Sequence, residues 1–431
     1  MNQPLLIRNG RLLDPVTGAL TTGDLLIVDG RIAPSAIPHP PSALLDASGL
    51  VVAPGLMDLH VHLREPGGEA AEDIATGSLA AARGGFTTVV AMPNTAPPHA
   101  TPEVLQRVLR RGAEVGLTRV LPSGCVTRDR KGAELADLAA LAAAGAAAFT
   151  DDGGVIPNAA LLEQALRECR RLGKVLMEHA EDHALEKAGV MHEGEHSQRC
   201  QLPGIPARAE ALIVERDIAL AGATGAAVHI QHVSAAESVE LIRAGRARGI
   251  RVTGEVTPHH LALTDADVQP DNPGAYKMNP PLRSARDRAA LLAGLCDGTL
   301  TCLATDHAPH TAEAKARGFL RAPSGIIGLE TALGVTYTEL VKKGRLALPA
   351  WLRLWTTGPA AVLGLPPPGL APGAVADLVL LDLESDWVVN PAEFATKSSN
   401  TPFGGWKLTG RAAATVLGGR LTWLADAARK R

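Results

Sequence analysis

Between about residues 55 and 360 the sequence alternates short apolar, β-prone runs with helix-like segments, and this alternation constrains the fold more than any other feature. The runs are 48–62, 86–95, 119–127, 146–153, 174–182, 226–234, 250–260 and 300–310. Eight strand–helix units are what close a (β/α)8 TIM barrel, whose active sites form at the C-terminal ends of the strands. One intervening stretch, 134-ELADLAALAAAG-145, reads as a closely packed helix capped at its C-terminal end by Gly145.

The two ends of the chain resemble each other and differ from the middle. The runs 5–13, 25–33, 376–384 and 412–423 are short and β-prone. Three of them turn on Asn9-Gly10, Asp29-Gly30 or Gly418-Gly419, pairs that supply the positive φ of tight hairpins. We expect both ends to build one small β-sandwich domain, from residues 1–54 and 363–431, around a metal-dependent barrel at 55–362. The segment 366-PPPGLAPGA-374 marks the re-entry.

Composition excludes several functions. A formal net charge of −3 gives no electrostatic footprint for nucleic acid or a membrane surface, and 3% aromatics leaves little for base stacking. The five cysteines are odd in number and scattered, which favours free buried thiols in a reducing compartment. The first fifteen residues are broken by Pro and Gly and lack a signal-peptide pattern, and no apolar stretch approaches membrane-spanning length. A cytoplasmic protein is expected.

A barrel should gather chemically able residues at the run ends, and this sequence does. His60 and His62 end the first run, Asn94 the second, Asp151 and Asp152 the fourth, His179 the fifth, His232 the sixth and Asp306 the eighth. On a strand, residues i and i+2 share a face, so His60 and His62 can hold one metal with the Arg64 charge beside them. Four histidines and two aspartates exceed a closed structural site and suit a two-metal centre with open positions. Asp151 or Asp152 is the bridging carboxylate. His229 and His232 face opposite sides of a strand, and His232, at the run's end, is the expected ligand. His259 and His260 are read as supporting the site, and His39 and His99, in Pro-rich loops, as inert. Asp306 can both bind metal and shuttle a proton.

With these residues in place, the chain resembles the amidohydrolase superfamily and, more closely, the bacterial class I dihydroorotases. The likeness spans essentially the whole sequence and rests on 58-DLHVHLREPG-67, 92-MPNT-95, 149-FTDDG-153, 178-EHAED-182, 232-HVS-234, 279-NPPLR-283 and 305-TDHAPH-310. Hydantoinases, dihydropyrimidinases and allantoinases share the barrel but characteristically place a carboxylated lysine after the fourth strand. The class I dihydroorotases have aspartate there, and 147–155 contains no lysine.

The resemblance implies two zinc ions held by His60, His62, Asp152, His179, His232 and Asp306, with Asp152 rather than Asp151 as the bridge. It implies substrate contacts from His62, Arg64, Asn94, Asn279, His310, Ser324 and Gly325. It implies reversible hydrolysis of (S)-dihydroorotate to N-carbamoyl-L-aspartate in pyrimidine (UMP) biosynthesis, with Asp306 as general base and then general acid. Arg64, Asn94 and His310 would grip the substrate anion. Ser324 departs from the family, which often has phenylalanine at this position. The segment 306–325 reads as a loop covering the substrate. A homodimer or larger assembly, or a complex with aspartate transcarbamoylase, is the expected partnership. The competing readings are a hydantoinase-like or allantoinase-like hydrolase and a non-catalytic scaffold of that transcarbamoylase. Such scaffolds typically lose metal-site histidines, all of which are present here.

Overall fold

The computed structural model describes residues 4–34, 43–269, 271 and 274–426. The chain opens with β1 (Leu5–Leu13), β2 (Leu20–Val28), β3 (Arg31–Ile32), β4 (Ala43–Asp46) and β5 (Val51–Pro54). The central region carries β6 (Leu56–Val61), β7 (Phe86–Ala91), β8 (Arg119–Pro122) and β9 (Leu176–Glu178). A small parallel pair follows, β10 (Met191–His192) and β11 (Gly204–Ile205), then β12 (Val228–Ile230), β13 (Val252–Val256) and β14 (Cys302–Leu303). Last come β15 (Leu378–Val388), β16 (Lys407–Leu417) and β17 (Arg420–Leu424).

Strands from both chain ends share one sheet, ordered β17-β16-β15-β5-β1-β2-β3, with β4 also pairing β1. The seam is antiparallel, Leu378 opposite Pro54 through Leu381 opposite Val51. Apolar side chains such as Ile7, Ile27, Val52, Leu378 and Val416 bury one face of this sheet together. Asp29-Gly30 and Gly418-Gly419 form the expected turns, all four residues with positive φ. Asn9-Gly10 does not. The β1–β2 register shifts between Ile7 and Gly10, and Asn9 sits at φ 60, so this pair makes a bulge inside one continuous strand. Close approach of β5 explains the glycine, because a Cβ on Gly10 would lie 2.6 Å from Val52 Cγ2.

The barrel closes as expected but not with eight equal strands. β6, β7 and β8 form one parallel ladder, and β9, β12, β13 and β14 another. The fourth run supplies only Phe149, which bridges Gly124 on one side and Leu176 on the other, and Val61 bridges His307 to shut the ring. β6 and β7 are buried at every position, as strands covered on both faces must be. Ring edges seal the outer layer, with Phe86 and Trp355 5.3 Å apart at 78°.

Other expectations need adjustment. The Ala-rich helix spans only Leu138–Ala143, because the Asp137 side chain accepts from Ala140 N and starts it there; Gly145 (φ 107) ends it as expected, its N–H on Ala142 O at 3.1 Å and that of Ala146 on Leu141 O at 3.0 Å. All five cysteines are free, but only Cys125, Cys169 and Cys302 are buried, Cys296 being exposed and Cys200 half-buried. The 306–325 segment is not structureless. It contains a helical turn, Ala312–Lys315, and Lys315 Nζ donates to the carbonyls of Gly274 (2.9 Å) and Pro323 (2.8 Å). Lys277 Nζ donates to Leu320 O at 2.9 Å. Among the described residues no helix is long and apolar enough to cross a membrane.

Candidate active site

The strand ends converge on a buried cluster of histidines and aspartates. His60 Nε2 lies 3.2 Å from Asp152 Oδ1 and 3.4 Å from Asp306 Oδ1. His62 Nε2 lies 3.1 Å from Asp306 Oδ1 and 3.6 Å from Asp152 Oδ2. On the other side His179 Nδ1 is 2.8 Å from His232 Nε2 and 3.6 Å from Asp152 Oδ1. Three ligand triads result: His60, His62 and Asp152; Asp152, His179 and His232; His60, His232 and Asp306. Asp152 belongs to two of them.

Local hydrogen bonding explains why these side chains, and not their neighbours, meet. Asp58 Oδ1 accepts from the backbone N–H groups of His60 (3.0 Å) and Thr305 (3.1 Å), tying the first strand end to the eighth. Asp151 is turned away, accepting from Val126 N at 2.9 Å and Thr127 N at 3.1 Å. Its neighbour Asp152 alone of the two faces the histidines. His232 (φ 32), Asp306 (φ 45) and Arg64 (φ 58) adopt left-handed backbone, which non-glycine residues rarely hold without a compensating constraint.

The donor set fits divalent metal. His60 Nε2 is fully buried and has no hydrogen-bond partner, an orphan that a cation would satisfy. Glu181 Oε2 lies 3.3 Å from His179 Nε2, so that nitrogen carries a hydrogen and Nδ1 is the atom turned to His232 and Asp152. Charge agrees. Burial alone would raise the Asp152 and Asp306 carboxyls, yet the adjoining His60 imidazole holds both below their ordinary range. Burial works against charge on His179 too, but hydrogen bonds to Asp152 and Glu181 raise it to about 10.

Over the cluster opens a cavity of about 270 Å³, lined by Arg64, Asn94, Asn279, His310, Ser324 and Gly325 among others. Arg64 Nε donates to Pro309 O at 3.1 Å, fixing the guanidinium at the wall. Burial and then the Arg64 and Lys315 charges push His310 down to about 3, which makes it a neutral imidazole. Its Nε2–H donates to Ser324 O at 2.8 Å, which leaves Arg64 as the cationic member of the proposed grip. Asn94 Oδ1 lies 2.9 Å from His62 Nδ1 and orients that ring. Asn279 Nδ2 donates to Glu181 at 2.7 Å, while its Oδ1 is buried without a partner. Gly325 (φ 153) permits the wall to close, because a Cβ there would lie 2.6 Å from Ala308 O.

The remaining histidines separate cleanly. His260 Nε2 lies 3.0 Å from Pro280 O and so steadies the Asn279 segment; His259 is buried with Nε2 unpartnered. His229 points away from the cluster, with Nδ1 2.8 Å from Thr253 Oγ1. His99 lies in the expected loop, away from the cluster, and is fully buried with Nδ1 2.9 Å from Ser123 O. His39 lies outside the described residues.

Sequence reasoning missed several residues around this site. Asn400 Nδ2 donates to Ala308 O (2.9 Å) and Gly325 O (3.0 Å), and its Oδ1 accepts from His310 N (3.2 Å). Arg130 donates to the Asp152 carbonyl. Glu181 and Glu255 contact the ring nitrogens of His179 and His60 that face away from the carboxylates. Only Glu181 carried a signal, two residues from His179 within 178-EHAED-182. A second cavity, of about 750 Å³, opens at the opposite end of the strands and is lined by residues such as Val175, Ala227, Thr253 and Thr301. Among the described residues none of the potential metal-holding groups lines it.

Comparison with known proteins extends these observations. The family described as Dihydro-orotase-like matches residues 49–238. A dihydroorotase from Pelotomaculum thermopropionicum is 50% identical over 421 residues, covering 97% of this chain and 98% of that relative. A dihydroorotase from Halalkalibacterium halodurans is 46% identical over 420 residues, with 97% and 98% coverage. Among solved structures, the L-hydantoinase (dihydropyrimidinase) of Arthrobacter aurescens superposes with a TM-score of 0.85 at 27% identity, covering 97% of this chain and 96% of that one.

Proposed function

The chain belongs to the dihydroorotase family and is a cyclic amide hydrolase, and we propose that it interconverts (S)-dihydroorotate and N-carbamoyl-L-aspartate in cytoplasmic pyrimidine biosynthesis. One observation carries the reading: a small cavity sets the half-buried Arg64 guanidinium beside a cluster in which an aspartate, Asp152, stands between two histidine pairs. Two zinc ions would be held by His60, His62 and Asp306 and by His179 and His232, with Asp152 shared. Such ions supply Lewis acidity, making water nucleophilic near neutral pH and polarising an amide carbonyl.

The protein's own groups do the rest. The Asp306 contacts with His60 and His62 both use Oδ1, which leaves Oδ2 to take a proton from the attacking water. In hydrolysis the ring C–N bond breaks, the hydroxyl stays on the carbonyl carbon, and Asp306 delivers that proton to the departing nitrogen. Ring closure uses the same atoms in reverse. Arg64 presents a planar fork to the substrate carboxylate, Asn94 and Asn279 add directional hydrogen bonds, and neutral His310 with Ser324 and Gly325 forms the wall. A neutral ring would leave the half-buried Arg64 charge without an anionic partner, which disfavours hydantoin or dihydrouracil as substrates.

The test is metal analysis of the isolated chain together with hydrolysis assays on dihydroorotate, hydantoin and allantoin. Preference for either neutral ring would overturn the assignment. Activity of the chain alone would establish that no aspartate transcarbamoylase partner is needed to complete the site.

A further inference from the structure

We propose that Glu255 and His229 form a buried relay that fixes the tautomer and position of His60 and thereby sets the metal affinity of the site. The inference rests on the reading of His60 as a metal ligand. Glu255 projects from β13 and is 0% exposed. Its Oε1 lies 3.0 Å from His60 Nδ1 and 3.3 Å from the backbone N of His232, and its Oε2 lies 3.1 Å from His229 Nε2. His229 Nδ1 in turn lies 2.8 Å from Thr253 Oγ1. Four groups are thus linked in one line from the metal cluster towards the opposite end of the barrel, where Thr253 lines the larger cavity.

Donor and acceptor chemistry gives this line a direction. A carboxylate only accepts, so His60 Nδ1 and His229 Nε2 must both carry hydrogens. Gln231 Nε2 lies 3.2 Å from the same His60 nitrogen but is itself a donor and cannot take that hydrogen. His60 is left with its lone pair on Nε2, the atom that faces Asp152 and Asp306 and has no partner of its own. With its Nε2–H committed to Glu255, His229 turns Nδ1 to the Thr253 hydroxyl. Glu255 also holds the His232 backbone, so one carboxylate steadies candidate ligands from both sides of the cluster. His62 leans instead on the uncharged amide of Asn94.

Carboxylate partners of this kind orient a metal-binding imidazole and raise its basicity, and their loss typically costs about 10–100-fold in metal affinity. The experiment measures zinc affinity of the full chain by competition with a chromophoric chelator, for wild type, Glu255→Gln, His229→Gln and His60→Ala. Circular dichroism of each metal-free protein monitors the fold. Glu255→Gln is expected to fold and to bind zinc roughly 10–100-fold more weakly, with His229→Gln weakened in the same direction but less. The visible spectrum of cobalt-loaded Glu255→Gln should shift as the His60 geometry relaxes. Wild-type affinity in a folded Glu255→Gln or His229→Gln protein overturns the relay. If neither folds without metal, the pair is a fold determinant and the proposal also fails. If His60→Ala leaves zinc binding intact, it is the ligand assignment that fails; if it loses zinc while both relay variants keep wild-type affinity, only the relay does.

Discussion

The two ends of the barrel use the same strands to opposite effect. At the C-terminal ends a cavity of about 270 Å³ is floored by buried aspartates and histidines, three of its non-glycine residues held in left-handed backbone. At the other end a cavity of about 750 Å³ is lined mainly by aliphatic side chains and exposed arginines. Volume therefore does not locate the chemistry. What does is the concentration of groups that are costly to bury without a partner: carboxylates, unpartnered imidazole nitrogens and a guanidinium.

Several experiments would break or sharpen this contrast. Stripping metal with a chelator should abolish hydrolysis, and zinc added back should restore it and raise the melting temperature; activity that survives chelation would remove the basis of the comparison. Asp306→Asn should retain metal and fold while kcat falls by about 10³-fold, near the middle of the range for a lost general acid–base, measured by steady-state kinetics. Arg64→Met should lower kcat/KM for dihydroorotate by about 10²-fold, as expected for a buried charge-assisted pair, and leave an uncharged cyclic imide much less affected. Equal losses on both substrates would count against the carboxylate contact.

Smaller effects should follow at the supports. Burial, followed by the Lys277 and Arg64 charges, lowers Lys315 from 10.5 to about 7. Between those pH values the unfolded chain binds more protons than the native one, so this residue's contribution makes stability rise with pH across the window and cease to change below it. Denaturant titrations from pH 7 to 10 should show a flatter profile for Lys315→Met than for wild type. At the other end of the barrel, Cys296→Ser should leave kcat/KM within about twofold, as surface changes away from a site usually do; a large loss there would show that the two ends are not independent.

Much of this arrangement was legible in the sequence because a parallel barrel puts its chemistry in phase. His60, His62, His179, His232 and Asp306 each follow an apolar run, and a run end is a place that can be read. What was hidden lacked such a marker. Asp151 and Asp152 differ by one residue, and only the Val126 and Thr127 N–H groups that claim Asp151 separate them. Strand parity placed His229 away from the cluster, but parity says nothing of a carboxylate on the next strand that could connect it back. Asn400 lies 90 residues from His310 in a segment without periodicity, so no local pattern announces it. Asn9-Gly10 misled for the converse reason: its preferred backbone serves a bulge as well as a turn, and the neighbouring β5 decides which.

The seam between β5 and β15 also bears on how the protein is made. Leu381 pairs with Val51, so this part of the sheet cannot be completed until the whole barrel between them has been synthesised. Throughout synthesis of the barrel, the edge of β5 awaits a neighbour encoded more than three hundred residues downstream. Such long-range closure is slow and leaves a strand edge open to wrong partners. The strand β15 is thus the clasp on β5 across the whole barrel, and deleting it should impair assembly out of proportion to the number of residues removed.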